Sequence, residues 1–291
     1  MYKYIHAKLQ TVKKRAYMKL FCFGLGYTAR HLINRLSPST WQFSGTHKSS
    51  GEIIFDGCNP LNNVEMLLKD VTHLLISIAP NSSGDDIVLH LHRKDIANMP
   101  NLKWVGYLSA TSVYGDHAGK WVDEQTTPAP TDGRGKARLN AEQQWLSQKL
   151  PIHIFRLGGI YGPNRNQVDA VINSTAKKII KQNHVFSRIH VDDIVSALIA
   201  SMKNPNPGSI YNIVDDAPSS SADVLDYISS QLSLKPIKGI AIENADISAM
   251  MKSFYADNKK VSNAHTKRAL NWAPQFPSYK QGYDDLLEQL D

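Results

Sequence analysis

Cysteine is almost missing from this chain. Two residues, Cys22 and Cys58, among 291 give no basis for a disulfide framework. Cys22 sits inside an apolar run, where a thiol packs as a small core residue. No apolar run reaches the ~18–20 residues that cross a bilayer, so no membrane partner is expected. The first 17 residues have no h-region and do not read as a secretory signal, and the chain is expected to be cytoplasmic. Those residues also lack any acid while carrying Lys3, Lys8, Lys13, Lys14 and Arg15. Without them the formal charge of +7 shrinks to the difference between 28 basic and 26 acidic residues. The sequence pI near 9.2 therefore reflects a basic tail on a nearly neutral body, and nucleic acid is not an expected partner. Translation is expected to begin at Met18, which would put the first strand at the N-terminus. N-terminal sequencing of native protein that returned Met1 or Tyr2 would contradict this.

What the chain does contain is a globular composition, 42% hydrophobic and 20% charged, organised around residues 20–36. The run Leu20-Phe21-Cys22-Phe23 suits a strand buried on both faces. Gly24, Gly26 and Ala29 follow as G-x-G-x-x-A. Ala29, Leu32, Ile33 and Leu36 then recur with helical spacing. Strand, glycine turn and helix form the entry of a dinucleotide-binding unit. The first glycine permits the turn, the second lets backbone approach a pyrophosphate, and the third small residue lets helix and strand pack closely. The helix N-terminus, from Tyr27 and Thr28, presents free N–H groups to the phosphates.

Strands are predicted at Trp41–Thr46, Ile53–Phe55, His73–Ala79, Trp104–Leu108, Ile152–Arg156 and Ile210–Val214. Helices are predicted at Val64–Leu68, Asp85–Ala97, Lys136–Lys149, Ile189–Met202, Ala222–Leu232 and Tyr279–Leu290. Residues 114–133 read as a long loop and 236–291 as irregular apart from that last helix. The alternation predicts an α/β fold with a doubly wound, mostly parallel sheet. A dinucleotide unit that prefers NAD usually places an acid at the end of its second strand, on the ribose 2′-OH. About 20 residues past Gly26 this chain instead reads Gly45-Thr46-His47-Lys48. A hydroxyl, an imidazole and an ammonium suit a 2′-phosphate, so NADP is expected over NAD.

Four further stretches fall in a fixed order: Tyr107–Gly115 (YLSATSVYG), Phe155–Pro163 (FRLGGIYGP), Ser187–Asp193 (SRIHVDD) and Gly208–Ser219 (GSIYNIVDDAPS). With the glycine motif they resemble the extended short-chain dehydrogenase/reductase family of nucleotide-sugar epimerases and dehydratases. VFSRIHVDD and SFYADNKKV look like its atypical YeeZ-like branch. The resemblance implies a Rossmann domain (18–163 plus about 187–215) and a small C-terminal substrate-binding cap (164–186 plus 216–291), after a basic extension (1–17). It also implies that Asp56 contacts adenine, that Ile78-Ala79-Pro80 lies along the ribose, and that Asn164, Arg165 and Arg188 meet a small-molecule substrate. Lys259 joins Arg165 and Arg188 as a basic lining for an anionic substrate such as a diphosphate. Such proteins often dimerise through the helices here at 85–97 and 136–149, so a homodimer is an expectation.

The family's reaction centre is a Ser or Thr, then a Tyr and a Lys spaced Y-x-x-x-K, the Tyr acting as general acid/base. Here the hydroxyl position, four before Tyr114, is Ala110. The Y-G-x-S-K-x-x-x-E pattern falls on Arg134 to Glu142, with Arg134 at the Tyr position and Arg138 at the Lys position. Arginine cannot shuttle a proton at neutral pH. A shifted register offers Asp132 and Lys136. Ser109 or Thr111 would replace the hydroxyl, with only one of the two expected to point into the site. Tyr114, Asp116, His117 and Tyr161 are the alternative proton donors, Arg138 would still meet the ribose or a phosphate, and no metal site is expected. Two readings stay open: an NAD(P)-dependent epimerase or oxidoreductase with a noncanonical proton donor, and a non-catalytic NADP(H) sensor.

Overall fold

A computed structural model describes residues 17–81 and 83–290. The expectation placed on the basic extension lies outside these residues. The strands in chain order are β1 (Met18–Phe23), β2 (Trp41–Gly45), β3 (His73–Ile76), β4 (Trp104–Ala110), β5 (Trp121–Val122), β6 (Ile152–Leu157), β7 (Gly159–Tyr161), β8 (Lys178–Ile180), β9 (Arg188–His190), β10 (Ile210–Ile213), β11 (Gly239–Ala241) and β12 (Lys260–Val261). The helices are α1 (Tyr27–Arg35), α2 (Val64–Leu68), α3 (Ile87–Ala97), α4 (Gly133–Leu146), α5 (Val168–Ile172), α6 (Val191–Lys203), α7 (Ser221–Gln231), α8 (Ala249–Ala256), α9 (Ala264–Leu270) and α10 (Tyr279–Glu288).

Six strands form one all-parallel sheet in the order β10-β6-β4-β3-β1-β2. Alternation splits each strand between two cores. Leu20, Cys22, Leu75, Trp104 and Phe155 face a core closed by Ala29 and Leu32 of α1 and Ile194 and Leu198 of α6. Phe21, Phe23, Leu74, Ile76 and Ile154 face a second, closed by Val88, Leu89 and Ile96 of α3 and Ala141 and Trp145 of α4. Helices on both faces explain why β1, β3 and β6 read as unbroken apolar runs. Each fully buried large apolar side chain is worth about 1.5–3 kcal/mol, and dozens are present. No helix among the described residues is long and apolar enough to cross a membrane.

The stretch 53–55 departs from expectation. It forms no strand, only an isolated parallel bridge between Ile54 and His47. Gly51 (φ +137°) and Gly57 (φ +82°) turn the chain on either side; Phe55 is buried in the core, Ile53 packs at its edge and Ile54 is exposed. The sheet therefore ends at β2.

The remaining elements form a smaller layer over the C-terminal edge of the sheet. Val168 and Val171 of α5, Val224, Leu225 and Ile228 of α7, and Tyr283 and Leu286 of α10 share a separate apolar cluster with Tyr161. Ser220 and Asp223 close α7 with a capping box. The predicted loop 114–133 carries β5, which pairs with β12, so the stretch read as irregular returns to the sheet edge. Asp193, in the first turn of α6, does more than favour that helix. Its carboxylate accepts the backbone N–H groups of Gln275 (2.6 Å) and Phe276 (3.1 Å), which fastens the last segment to the body.

Candidate functional site

The glycine turn follows from close approach at two places. Gly24 has φ +92°, and a Cβ there would sit 2.8 Å from Ser77 Oγ and 2.9 Å from Ile78 Cγ1. Only glycine fits. At Gly45 a Cβ would meet Cys22 O at 2.5 Å, which lets the end of β2 close on the turn. Gly26, the N-cap of α1 with no side-chain cap, differs: a Cβ there meets nothing within 4 Å. The space in front of the helix N-terminus is open, and the N–H groups of the first turn face it. Ala29 is fully buried against the strand and Thr28 nearly so. Tyr27 donates its hydroxyl to Pro163 O (2.9 Å), and Arg165 lies over its ring at 5.5 Å. Burial pushes the Tyr27 phenol up to about 12.

The residues expected at the ribose divide. Thr46 is fully buried, and its Oγ1 accepts the backbone N–H of Gly24 at 2.9 Å. That side chain holds the turn and is not offered to a 2′-phosphate, a correction to the expected role. His47 is half-buried and Lys48 exposed. Arg30, which sequence reading missed, donates Nε to Leu25 O (3.0 Å), while Leu25 N–H donates to Thr46 O (2.8 Å). A guanidinium is thereby held on the same turn. The missed signal was a basic residue one turn into α1. Asp56 is exposed and accepts Cys58 N–H at 2.8 Å. Ile78 packs against the core, and Ala79 and Pro80 line the neighbouring cleft.

Arg134 and Arg138 stand one turn apart on α4, and both line that cleft with Ala110 and Thr111. Asp132 caps α4 by accepting Gly135 N–H at 2.6 Å, and Lys136 is exposed and outside the cleft lining. The shifted Asp-x-x-x-Lys register therefore assembles no pair. Arg138 donates Nη1 to Leu108 O (2.9 Å) and Tyr107 Oη (3.3 Å). Arg134 bonds Ser253 Oγ and lies over Phe254 at 4.7 Å, tying α4 to α8.

A buried network decides between Ser109, on β4, and Thr111, just past its end. Ser109 points inward and bonds Glu142 Oε1 at 2.5 Å. Glu142 in turn accepts Arg156 Nη2 at 2.7 Å, both side chains being at most 3% exposed. Arg156 Nη1 donates to Tyr114 Oη (3.0 Å), whose hydroxyl donates to Asn212 Oδ1 (2.8 Å). Thr111, not Ser109, thus reaches the cleft. Tyr114 is fully buried, spent on this network and absent from the cleft lining, so its expected place at the site is corrected. Asp116 accepts Asn258 and Ala118 N–H groups, and His117 bonds Tyr114 O. Tyr161 does line the cleft, but its ring stacks on Tyr283 at 5.4 Å and its Oη abuts Gly282.

The cleft measures about 1430 Å³. Its lining carries Arg134, Arg138, Arg165, Lys177, Arg188 and Lys259 against two carboxylates, Asp132 and Asp257. Asp132 lies 3.5 Å from Arg134, and Asp257 3.5 Å from Lys259. Burial lowers the Lys259 ammonium below the usual lysine range, against the pull of Asp257. Arg138, Arg165, Lys177 and Arg188 form no ion pair among the described residues. Asn164, in left-handed backbone (φ +59°), is exposed and outside the lining, unlike its neighbour Arg165. Sequence reading gave no role to Ser253 or Asp257, because it had no means of seeing that 253–259 returns to α4.

Known proteins resemble this arrangement. The profile of the NAD dependent epimerase/dehydratase family matches residues 78–214. Protein YeeZ of Escherichia coli (strain K12) is 26% identical over 216 residues, covering 67% of this chain and 77% of that protein. The structure of a functionally unknown conserved protein from Silicibacter pomeroyi is 40% identical, with a TM-score of 0.87 over 94% of this chain and 99% of that one. Two solved structures share the fold at lower identity. One is UDP-glucuronic acid 4-epimerase from Bacillus cereus in complex with NAD (17%, TM-score 0.75, covering 94% of this chain and 99% of that one). The other is human epimerase family protein SDR39U1 with NADPH (14%, TM-score 0.77, covering 93% and 99%).

Proposed function

We propose that this chain, whose residues 78–214 match the NAD dependent epimerase/dehydratase family, binds NADP(H) at the Gly24–Ala29 turn and an anionic small molecule in the adjoining cleft. The observation that carries the second half is the charge of the cleft, six cations against two carboxylates that each already face one of them. A nucleotide sugar, with a diphosphate and a polar ring, has the charge and size for such a space. Arg165 and Arg188 would take its anionic part. Thr111 would bond a substrate oxygen in place of the missing hydroxyl at Ala110.

The open space at Gly26 supports the first half, since a pyrophosphate needs close backbone there. Tyr27, Thr28 and Ala29 open the helix beneath it. Arg30, His47 and Lys48 would meet a 2′-phosphate, Asp56 the adenine, Ile78, Ala79 and Pro80 the ribose, and Arg138 the nicotinamide end. The cofactor supplies or accepts a hydride when bound. On α4, at the positions matched to the family's Tyr and Lys, this chain carries Arg134 and Arg138, which hold their protons throughout. That substitution favours a second reading, a protein that binds NADP(H) and a metabolite without turnover.

Calorimetric titration with NADPH, NADP⁺ and NADH, followed by a nucleotide-sugar panel watched at the NADPH absorbance, separates the readings. NADPH is expected to bind about ten-fold or more tighter than NADH, and Lys48→Glu to erase that preference. Turnover of a panel member establishes the enzyme. Binding across the panel with no turnover establishes the sensor. Equal affinity for NADH and NADPH in the parent protein would contradict the NADP assignment.

A further inference from the structure

Arg188 opens β9 and lines the cleft. Its Nη1 donates to Ser219 O (2.7 Å), Ser219 Oγ (2.8 Å) and Phe186 O (3.3 Å), and its Nη2 to Ser221 Oγ (3.3 Å). Every acceptor is neutral. These bonds fix the guanidinium without cancelling its charge. The adjoining strand end holds Asp215, just past β10, whose backbone N–H donates to Arg188 O at 2.7 Å and whose carboxyl interacts with the Arg188 charge without forming an ion pair. The Asp215 side chain is 1% exposed. Its Oδ1 accepts a single N–H, from Ala217 at 3.2 Å, and its Oδ2 has no partner. A carboxylate in that position has lost its water and gained one hydrogen bond, so its neutral form is strongly favoured. Burial pushes it up to about 8, against the pull of Arg188.

The other charged and titratable groups near Asp215 are accounted for. Asp216, the next residue, lies 2.6 Å from Lys267 Nζ and accepts Asn263 Nδ2 at 2.8 Å. Asp193 of α6 is engaged by two N–H groups of the final segment. Tyr161 of β7 and Tyr283 of α10 are buried phenols held above their usual range by desolvation. Arg188 is thus the cation whose field Asp215 meets, and Asp215 is the acid that can change charge within it.

We propose that Asp215 sets the charge of an anion subsite at Arg188: protonated, it leaves the guanidinium to an anionic ligand in the cleft, and ionised, it neutralises that guanidinium and releases the anion. Asp215 touches no ligand in this scheme and acts through Arg188 as a positioning residue. The inference rests on the reading of the cleft as anion-binding. Linkage gives it a second signature. If the anion is held more tightly by the protonated form, its binding must raise the proton affinity of Asp215, and protons must be taken up on binding.

The test uses sulfate, whose charge does not change across neutral pH, with the full-length protein. Sulfate affinity is measured by calorimetry one unit below and one unit above pH 8, for the parent protein and for Asp215→Asn. The parent is expected to lose about ten-fold in affinity on going to the higher pH. Asp215→Asn is expected to lose little and to keep its low-pH affinity. Lys259, the cleft's other desolvated base, contributes equally to both proteins and so drops out of the comparison. Parallel titrations of Lys259→Gln, which removes the other group able to take up a proton, in two buffers of different ionisation enthalpy are expected to show net proton uptake near pH 8, and they decide the matter should Asp215→Asn fold poorly. Sulfate bound with the same affinity at both pH values, or an unchanged slope in Asp215→Asn, overturns the role of Asp215 and leaves the anionic cleft standing. No sulfate binding at either pH overturns the anionic cleft itself.

Discussion

Thr46 Oγ1 accepts the backbone N–H of Gly24 at 2.9 Å, so the end of β2 holds the first glycine of the turn in place. The bond is part-buried, with Thr46 itself fully buried. Thr46→Val keeps the shape and removes the acceptor. It is expected to cost about 1–3 kcal/mol of stability and to weaken NADPH binding several-fold, read by urea unfolding and calorimetry. An unchanged midpoint and affinity would contradict the assignment of Thr46 to the turn.

Arg134 occupies the position of the family's proton-transferring Tyr, and its side chain reaches Ser253 and Phe254 on α8. Both α8 residues line the cleft. Arg134→Ala is expected to raise hydrogen exchange in 249–256 by about five-fold or more while leaving 18–35 unchanged, because the cross-link is partly exposed and local. Arg134→Lys is expected to restore protection only in part, since an ammonium cannot lie flat on the Phe254 ring as a guanidinium does. Equal exchange in all three proteins would show that α8 is held by other contacts.

Acid should destabilise the fold through its buried histidines. His73 is 4% exposed, wedged between Trp41 and Trp104, and burial pulls it down to about 4. Burial lowers His153 and His190 as well. The unfolded chain binds protons near pH 6.5 that the folded chain refuses. Stability contributed by neutral His73 is therefore fully present above about 6.5 and is lost as pH falls toward 4, by about 2–3 kcal/mol. Urea midpoints across this window should fall for the parent and fall less for His73→Gln. A parent midpoint flat between pH 6.5 and 4 would contradict the burial of these rings.

Much of the fold was legible because it is written locally. Runs such as His-Leu-Leu-Ile and Ile-His-Ile-Phe-Arg-Leu are buried on both faces, which apolar continuity alone reports. The turn Gly24–Ala29 carries its own geometry, and the spacing from Gly135 to Glu142 matched Arg134 and Arg138 to the family's Tyr and Lys positions, although the helix was expected only from Lys136 and begins at Gly133. What escaped reading depends on partners distant in sequence. Ser109 and Thr111 could be ranked only once Glu142 and Arg156 were seen buried behind Ser109. Tyr114 looked available until Asn212 was found 2.8 Å from its hydroxyl. Thr46 looked like a phosphate ligand until Gly24 claimed it. Ile53–Phe55 had strand composition, but glycines at both ends left it no length in which to pair. Lys259 was expected in the cleft lining, but the contacts of Ser253 and Phe254 with Arg134 had no local signature.

Gly26 offers the most direct measurement. A Cβ at this position meets nothing within 4 Å, so Gly26→Val fits the unliganded fold and should change the unfolding free energy by no more than about 1 kcal/mol. The same isopropyl group fills the space assigned to the pyrophosphate. Calorimetric titration of NADPH into parent and variant is expected to show binding to the parent and at least about a hundred-fold loss in a folded Gly26→Val. Equal NADPH affinity in the two proteins would place the dinucleotide elsewhere and contradict the reading of the Gly24–Ala29 turn.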